Sequence, residues 1–348
     1  MPVHASHDIV IVGAGIAGLT LARELTRLGH SPVVVERSKG IGGRCATRRV
    51  EGQPVDHGVF FVHARSSALR RELHAMEAAR RDGWPERVDG SGTPCRPDAF
   101  DASEQRVAFV DGINVLPKHL GQGLDIRTAT TVTVVNPPSA SAPWCVQTEH
   151  GDTIAARALV FALPPPNVHD LLAAADPLPA RVRGLLPLLA LAPSVPCLTV
   201  IARYPAEVPR PAWDVSYPDG QSCIQSIGHD SAKRAPGAAL TLVLQARAAW
   251  SRAALQQPVD AWATALLEEG ARLHGTWVAR PASFQGHAWR KARVAPGCEL
   301  SQPILTAVET GAWLGCCGDA FHPAGGVEGA YLSALQLGAR LHEALPRP

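Results

Sequence analysis

A glycine-rich loop near the start of the chain places the strongest constraint on its fold. The loop reads Gly13-Ala-Gly15-Ile-Ala-Gly18, a G-x-G-x-x-G spacing. It follows the β-branched run Asp8–Val12, opens a stretch with helical spacing of apolar residues, and is followed by a second apolar run, Pro32–Glu36. Strand, glycine turn, helix and second strand make a βαβ unit that binds a dinucleotide through its pyrophosphate. The three glycines permit the tight turn, the approach of backbone to the pyrophosphate, and the close packing of the helix on the sheet.

The end of the second strand predicts which dinucleotide is bound. Glu36 is placed to accept hydrogen bonds from an adenosine ribose, and an acid there disfavours a 2′-phosphate, so FAD or NAD is favoured over NADP. Gly42-Gly43-Arg44 follows at once and resembles the signature of FAD proteins with the amine-oxidase and p-hydroxybenzoate-hydroxylase architecture. We therefore predict non-covalent FAD. The predicted contacts in this part of the chain are Gly13, Gly15, Ile16, Ala17, Gly18, Glu36, Arg37, Gly43 and Arg44.

A second glycine-rich loop, near the other end of the chain, is explained by the length of the same cofactor. Extended FAD reaches across the sheet from the first βαβ unit, so its flavin end needs its own backbone donors. Gly318-Asp319 follows the apolar run Trp313–Cys317 and matches the second FAD motif, whose Asp accepts from a ribityl hydroxyl. Gly326, Val327 and Glu328 are the predicted contacts here, and Val327–Leu345 is a predicted helix whose positive dipole end would stabilise the reduced flavin.

The order of apolar runs indicates two domains, for which 348 residues are sufficient. Both ends of the chain carry buried-strand patterns, whereas the middle carries alternating strands and then a helix near Val259–Leu273. The predicted fold class is α/β, with a discontinuous Rossmann-like FAD-binding domain and an α+β substrate domain built on an antiparallel sheet. The FAD-binding domain is predicted to comprise residues 1–75, 107–165 and 290–348, and the substrate domain residues 76–106 and 166–289.

Local patterns within these domains predict individual elements. Leu69–Arg81 has the pattern of a charged helix. Val132–Val135, Trp144–Thr148 and Thr153–Ala155 predict a small antiparallel meander, and Ala158–Leu163 predicts a separate central strand.

Composition and charge disfavour several other classes of function. The 33 basic and 31 acidic residues leave a net charge of +2, so no nucleic-acid partner is predicted. The most apolar later stretch, Leu185–Ala202, is interrupted by prolines, and the first strand begins at about Asp8, so neither a membrane span nor a secretory signal is predicted. The eight cysteines show no C-x-x-C spacing, which favours reduced thiols, a cytoplasmic location and no metal site.

Several stretches together resemble the renalase family. Gly42–Arg49 reads G-G-R-C-A-T-R-R, and Asp56–Phe61 reads D-H-G-V-F-F. Ile227–Lys233, His287–Arg293 and Pro323–Ser333 are similar to further parts of that family, and the resemblance covers both predicted domains. The FAD motifs are shared widely, whereas the middle stretches are more specific.

This chain departs from the family pattern at several positions. Cys45 and Ala46 replace the usual Met-Ser, Gly228 and His229 replace a small residue and Asn, and Gly326 replaces an Arg. The replacement of Arg by Gly326 removes a cation from the expected neighbourhood of the flavin, so the resemblance does not determine the identity of the substrate.

The resemblance implies a flavoprotein oxidase acting on a small molecule. Bacterial renalase-like enzymes take a hydride from the 2- and 6-dihydro isomers of NAD(P)H and pass the electrons to O2, giving H2O2. A hydride transfer needs no general base, so positioning of the substrate ring is expected to supply most of the rate acceleration. The resemblance also implies that His57 and Gly58 contact the cofactor. The candidate substrate-side residues are His287, Trp289, His63 and His322, with His57, His229 and Arg290 as further candidates.

Two other functions stay open on the sequence alone. The first is an amine oxidase or another FAD oxidase of a small, electron-rich substrate, including enzymes of specialised metabolism. Such enzymes place a Lys near flavin N5 through water, and Lys291 is the stand-in here, although the chain has only three Tyr and seven Phe for an aromatic amine site. The second is a non-catalytic flavin or dinucleotide sensor, motivated by the altered positions. The sequence makes no prediction of oligomeric state.

Overall fold

Residues 4–76, 80–90 and 104–345 are described in the computed structural model of the chain. The strands, in chain order, are β1 (His4–Val12), β2 (Pro32–Val35), β3 (Thr47–Val50), β4 (Gln53–Asp56), β5 (Val62–Ala64), β6 (Arg80–Asp82), β7 (Val88–Gly90), β8 (Gln105–Phe109), β9 (Asp125–Arg127), β10 (Val132–Asn136), β11 (Trp144–Thr148), β12 (Thr153–Phe161), β13 (Ser194–Arg203), β14 (Val215–Tyr217), β15 (Ile224–His229), β16 (Thr241–Ala246), β17 (Ser283–Val294), β18 (Ile304–Ala307) and β19 (Trp313–Cys316). The α-helices are α1 (Ile16–Arg27), α2 (Ser67–His74), α3 (Val115–Leu120), α4 (Pro165–Ala173), α5 (Ala180–Arg183), α6 (Leu186–Ala190), α7 (Ala248–Ala254), α8 (Val259–His274) and α9 (Gly326–Ala344).

The first of two compact units is made of residues 1–43, 116–194 and 293–348. Its main sheet has the order β10-β11-β12-β1-β2-β9, in which β12, β1, β2 and β9 run parallel. The long strand β12 pairs with β11 through Thr153–Ala156 and with β19 through Ala158–Phe161. One strand therefore serves both the antiparallel meander and the parallel sheet, where the sequence patterns predict two separate elements.

Both faces of this parallel sheet are covered, which explains its continuous apolar runs. On one face Val10, Val33 and Leu159 share a core with Val168 of α4 and Leu189 of α6. The helix α1 packs closely on α9, since a Cβ at Gly338 would lie 3.1 Å from Glu24 Cγ. The helix α1 ends before Gly29, whose φ of 93° is the left-handed conformation that commonly follows a helix.

The second compact unit comprises residues 44–115 and 195–292. Its six-stranded sheet has the order β17-β13-β16-β15-β14-β7, with antiparallel pairing from β13 to β14. Val200 and Leu244 face helix α8, whose Trp262 lies in the same core. Ile201 and Val243, one residue along each strand, face the opposite way. There they meet Phe60, Trp84 and Ala108, contributed by the segments around the smaller sheets β3-β4 and β5-β8-β6. The predicted α/β class with an antiparallel sheet in the second part is confirmed.

The compact units divide the chain at other points than the predicted domains. Residues 44–75 and 107–115 belong to the second unit, because β3, β4 and β5 lie in or beside the core shared by Phe60 and Val243. Residues 166–194 belong to the first unit, because α4, α5 and α6 pack on its sheet. The predicted segment 76–106 includes residues 77–79 and 91–103, which lie outside the described residues. The assignment of cofactor and substrate roles to the two units stays a prediction.

The predicted helix Leu69–Arg81 is wrong at Arg80 and Arg81, and its residues 77–79 lie outside the described residues. Helix α2 ends at His74, and Arg80 and Arg81 lie in strand β6, paired with β8. Pairing with a partner strand that is distant in sequence overrides the local helical pattern. In the described part of the chain, no helix combines the length and apolar character that a membrane crossing requires.

Candidate functional site

The first glycine loop is built by close backbone contacts. Gly13 has a φ of 108°, and a Cβ there would lie 2.7 Å from Ala162 O. A Cβ at Gly18 would lie 1.9 Å from Gly13 O, so the first turn of α1 sits directly on the loop. Gly13 N–H also donates to Val35 O at 2.8 Å. Both glycines are thus required for the loop to join β1, α1 and the end of β12.

Gly15 differs from these two glycines because it borders open space. Among the described residues, a Cβ added at Gly15 would have no neighbour within 4 Å, and Gly15, the N-cap residue of α1, makes no side-chain capping hydrogen bond. The Gly42–Gly43 turn lies alongside: Gly42 N–H donates to Ala14 O at 2.8 Å, and a Cβ at Gly43 would lie 3.5 Å from Gly15 Cα. The result is a glycine-lined concavity at a helix N-terminus, which fits a pyrophosphate. Ile16 and Ala17 are buried behind it.

Glu36 lies beneath this concavity with its carboxylate engaged by backbone. Oε2 accepts a hydrogen bond from Ala14 N–H at 2.9 Å, and Oε1 accepts from Ser38 N–H at 2.8 Å. A carboxylate oxygen has more than one acceptor site, so each oxygen retains capacity for a ribose hydroxyl. Its neighbour Arg37 is exposed.

The second glycine loop, also in the first unit, is held from behind by Ser333. Gly318 N–H donates to Ser333 Oγ at 3.0 Å, and the Ser333 hydroxyl donates to Gly318 O at 2.9 Å. Asp319 follows and is only 5% exposed. This arrangement fixes the backbone at which the predicted ribityl contact would be made.

The helix α9 begins at the end of the same loop. Gly325 and Gly326 both have positive φ values, of 58° and 54°, and a Cβ at Gly326 would have no neighbour within 4 Å. Glu328 in the first turn is buried and Val327 is partly buried. The start of a 19-residue helix with open space at Gly326 fits the polar edge of a flavin ring. His322 shapes the loop before it, since its Nδ1 accepts from Ala324 N–H at 3.1 Å.

In the second unit, three of the predicted residues form a cluster of rings. His57 stacks on Trp289 with ring centroids 5.1 Å apart, and His287 contacts both rings edge-on, at 5.0 Å from His57 and 4.3 Å from Trp289. Trp289 Nε1–H donates to His57 O at 3.0 Å. His287 and Trp289 alternate along β17 and so share one face of it. Gly286 faces the other way, since a Cβ there would lie 2.5 Å from Trp262 of α8. These three residues are called the ring cluster below.

The ring cluster is held electrically neutral. Burial lowers the pKa of His57 to about 4, helped by His287 and the Arg48 guanidinium. Burial and Arg48 also lower the pKa of His287. His57 Nδ1 is buried without a hydrogen-bond partner among the described residues. At neutral pH both imidazoles are therefore uncharged, and they offer flat faces and ring nitrogens rather than charge.

Gly58 lies between the ring cluster and the backbone of Arg44. A Cβ at Gly58 would lie 2.2 Å from Arg44 O and 3.2 Å from Trp289 Cζ2, so only glycine fits there. Arg44 Nη1 donates to Ala292 O at 3.2 Å, and Gln245 Nε2 donates to Gly58 O at 2.6 Å. The Arg44–Gly58 contact brings together two stretches that the sequence analysis singled out separately.

A buried network of four charges behind His57 was missed by the sequence analysis. Lys233 and Arg234 both pair with Asp56 and with Asp230, at distances of 2.7–3.2 Å. Burial alone would raise the pKa of Asp56, but the Lys233 and Arg234 charges outweigh it and hold that pKa below its usual value. Asp56 and Ile227–Lys233 both lie in stretches with a family resemblance, yet nothing in the sequence shows that they pair.

The other candidate residues lie in different surroundings. His63 Nε2, on β5, lies beside the carboxylate of Glu104, which also forms an ion pair with Arg65. His229 is buried, its Nδ1 lies 3.1 Å from Trp213 O, and burial lowers its pKa. Arg290 is exposed on β17. Among the described residues no group of three or more His, Cys, Asp or Glu side chains is arranged to hold a metal ion.

Two family models match the chain. One, described as flavin containing amine oxidoreductase, covers residues 98–341. The other, described as an NAD(P)-binding Rossmann-like domain, covers residues 11–75.

Solved structures of a cyclohexylamine oxidase and a putrescine oxidase share the fold. Cyclohexylamine oxidase from Brevibacterium oxydans has a TM-score of 0.73 at 16% identity, over 97% of this chain and 99% of that one. A putrescine oxidase variant has a TM-score of 0.72 at 15% identity, over 99% of this chain and 100% of that one. Identities this low show the fold alone.

Curated relatives match over shorter stretches. A Mycobacterium tuberculosis protein, provisionally named flavin-containing monoamine oxidase AofH, is 50% identical over 62 residues, which are 18% of this chain and 14% of that protein. The Arabidopsis thaliana flavin-containing monooxygenase FMO GS-OX-like 3 is 34% identical over 137 residues, 38% of this chain and 29% of that protein. The matched stretches thus span less than a third of the length of these relatives.

Proposed function

We propose a function from the premise that this chain belongs to the flavin containing amine oxidoreductase family. The family is FAD-dependent, and the chain is accordingly an FAD-dependent oxidoreductase. Within that class the proposed activity is oxidation of a small dihydronicotinamide, a 2- or 6-dihydro isomer of NAD(P)H. When bound, FAD would supply the hydride acceptor, and the two electrons, with the proton of that hydride and one proton from solvent, would reduce O2 to H2O2.

The two glycine loops of the first unit are the proposed site of non-covalent FAD. The open backbone at Gly15 and Gly43 suits the pyrophosphate, and the unused acceptor sites of Glu36 suit the adenosine ribose. Asp319 is the proposed acceptor for a ribityl hydroxyl. The open start of α9 at Gly326 is proposed to bind the pyrimidine edge of the ring.

The observation that carries the choice of substrate is the neutral ring cluster of the second unit. A flat nicotinamide ring gains from stacking on aromatic and imidazole faces. Hydride transfer requires no proton from the protein, and the lowered pKa values of His57 and His287 mean that neither ring holds an acidic proton at neutral pH. The ring cluster therefore supports binding and orientation of a nicotinamide, with water excluded by the burial of His57.

Anaerobic mixing of the yellow holoprotein with each candidate substrate tests the proposal. Both the 2- and the 6-dihydro isomers of NAD(P)H are expected to bleach the flavin absorbance within seconds, whereas ordinary 4-dihydro NAD(P)H serves as the matched control and should be far slower. Readmission of air should restore the colour and form H2O2. Bleaching by neither isomer would overturn the proposal, and a yellow protein that no reductant turns over would favour a sensor.

An amine oxidase is the second candidate, because the family model and the similar solved structures carry amine names. Lys291 lies two residues after Trp289 on β17, at a register position on the same face as the ring cluster. If putrescine or cyclohexylamine bleaches the flavin and the dihydronicotinamides do not, this candidate replaces the first. Lys291→Met would then be expected to slow bleaching by the amine.

A further inference from the structure

Arg48 lies beside the ring cluster and is held there by two neutral groups. It follows Thr47 on β3, whose hydroxyl donates to Asp56 Oδ1 at 2.7 Å. Side chains alternate along a strand, so Arg48 points away from the buried charge network. Its Nη1 donates to Gln285 Oε1 at 3.1 Å, and its Nη2 lies 3.4 Å from His287 Nδ1.

The contact with His287 defines the state of that imidazole. A guanidinium has only hydrogen-bond donors, so Nδ1 of His287 must act as the acceptor. The neutral imidazole therefore carries its proton on Nε2. Both partners of Arg48 are therefore uncharged. Among the described residues no carboxylate pairs with this guanidinium.

Arg48 thus places a partly buried positive charge at the edge of a neutral ring surface, with no counter-charge beside it among the residues that the structure describes. An anionic ligand that supplied this counter-charge would bind through charge-assisted hydrogen bonds. The effect of Arg48 reaches the rings, since it contributes to lowering the pKa of both His57 and His287. Two of its five N–H groups are used, and the remaining three can bind two oxygens of one anion in parallel.

We infer that Arg48, held by Gln285 and His287, is an anion subsite that binds a phosphate of the nicotinamide nucleotide substrate. The inference rests on the proposed function for the identity of the ring that the phosphate accompanies. It adds a specificity element: the subsite favours a nucleotide over an uncharged dihydronicotinamide, and it disfavours a cationic amine through repulsion.

A pair of substrates that differ by one phosphate tests the subsite. These are 6-dihydronicotinamide mononucleotide and 6-dihydronicotinamide riboside, used with full-length holoprotein. Loss of a charge-assisted contact predicts that Arg48→Gln raises KM for the mononucleotide by roughly 10- to 100-fold. The kcat for the mononucleotide and the KM for the riboside should change little. Arg48→Lys keeps the positive charge but lacks the planar guanidinium. Its KM for the mononucleotide should therefore lie between those of wild type and Arg48→Gln.

Arg49→Gln is the matched control. Arg49 is the next residue on β3, is exposed, and has its Nη1 3.5 Å from Gly52 O. Its substitution removes one positive charge from the same strand and should leave both KM values within about twofold of wild type, the change expected for a remote, screened charge. Equal KM increases for mononucleotide and riboside in Arg48→Gln would overturn the subsite.

Equilibrium binding of oxidised nicotinamide mononucleotide separates this inference from the proposed function. Wild type should bind it more tightly than oxidised nicotinamide riboside, and Arg48→Gln should lose that preference, as followed by flavin absorbance or Trp fluorescence. If the preference is present and lost as expected while neither dihydro isomer bleaches the flavin, the subsite stands and the proposed oxidase fails. If the isomers bleach the flavin and the preference is absent, the oxidase stands and the subsite fails.

Discussion

Lys233 Nζ lies 2.7 Å from Asp56 Oδ2, and both side chains are completely excluded from solvent. Lys233 also donates to Phe60 O at 2.6 Å, and Asp56 N–H donates to Asp230 Oδ1 at 3.1 Å. These bonds fasten the segment from Asp56 to Phe60, which carries His57 of the ring cluster. The network therefore links a buried charge pair to the position of a proposed substrate contact.

Lys233→Met is expected to lower the free energy of unfolding by about 3–5 kcal/mol, because it leaves a buried carboxylate with one cation fewer. Urea denaturation measures the loss. Lys118→Met, at an exposed position, is the control and should be nearly neutral. The double variant Asp56→Asn/Lys233→Met removes both charges and should recover part of the loss. A loss below about 1 kcal/mol would show that Arg234 alone balances Asp56 and Asp230.

His57 is expected to make stability depend on pH in the weakly acidic range. Its folded-state pKa of about 4 lies below the unfolded value of about 6.5. Folding thus favours the neutral ring. The contribution of His57 to the free energy of unfolding is therefore fully present above about pH 6.5 and is lost as the pH falls towards 4. The drop in unfolding free energy between pH 7 and 4.5 should be smaller in His57→Gln than in wild type by about 2–3 kcal/mol.

Urea denaturation at several pH values measures the unfolding free energy of wild type and of His57→Gln. The other histidines with lowered pKa values are present in both proteins, so the difference between the two pH dependences reports on His57. His150→Gln, an exposed control, should retain the wild-type pH dependence. An unchanged pH dependence in His57→Gln would contradict the assignment of a buried neutral ring.

Gly15→Ala is expected to weaken FAD binding without destabilising the protein that lacks FAD. A methyl group at Gly15 meets no atom of the described residues within 4 Å, and the backbone φ of −78° suits alanine. The methyl group would instead occupy the space proposed for the pyrophosphate, and an increase in the FAD Kd of at least about tenfold is expected, equivalent to ~1.4 kcal/mol. Flavin fluorescence titration of the cofactor-free protein measures it.

Gly18→Ala is the matched contrast within the same loop. Its Cβ would lie 1.9 Å from Gly13 O, so the cofactor-free protein itself should lose stability. Equal FAD affinity of wild type and Gly15→Ala would place the pyrophosphate elsewhere.

Ser333→Ala is expected to loosen the second glycine loop. It leaves the buried Gly318 N–H without its acceptor, at a cost of about 1–3 kcal/mol in unfolding free energy. FAD affinity should fall as well, because Asp319 follows Gly318 directly. Ser141→Ala, at an exposed position, is the control for both measurements. If Ser333→Ala matches that control in stability and FAD affinity, the serine does not hold the loop.

Local backbone requirements made the two glycine loops predictable. Gly13, Gly318 and Gly326 have positive φ values, and Gly18 meets backbone so closely that no side chain fits. Glycine is the residue type that meets both of these backbone requirements, so the positions of the loops can be recognised in the sequence. The buried parallel strands β1 and β2 were equally readable from their β-branched runs, and β19 from its apolar residues.

Elements that depend on distant partners were not predictable in the same way. The segment Leu69–Arg81 has a helical pattern, but Arg80 and Arg81 pair with β8. The charges of Asp56 and Lys233 look like surface charges until the fold buries them against each other. His63 and His287 were both candidate substrate-side residues on the sequence, and only the structure places His63 beside Glu104.

The sequence by itself determined the class of fold and where each glycine loop lies, since those follow from alternation, β-branching and the unique conformational range of glycine. Only the tertiary structure decided which histidines come together, which carboxylates and cations neutralise each other, and that Arg48 has no acidic partner among the described residues. The physical reason is that burial and long-range contact, rather than residue type, set the charge state and neighbours of an ionisable side chain.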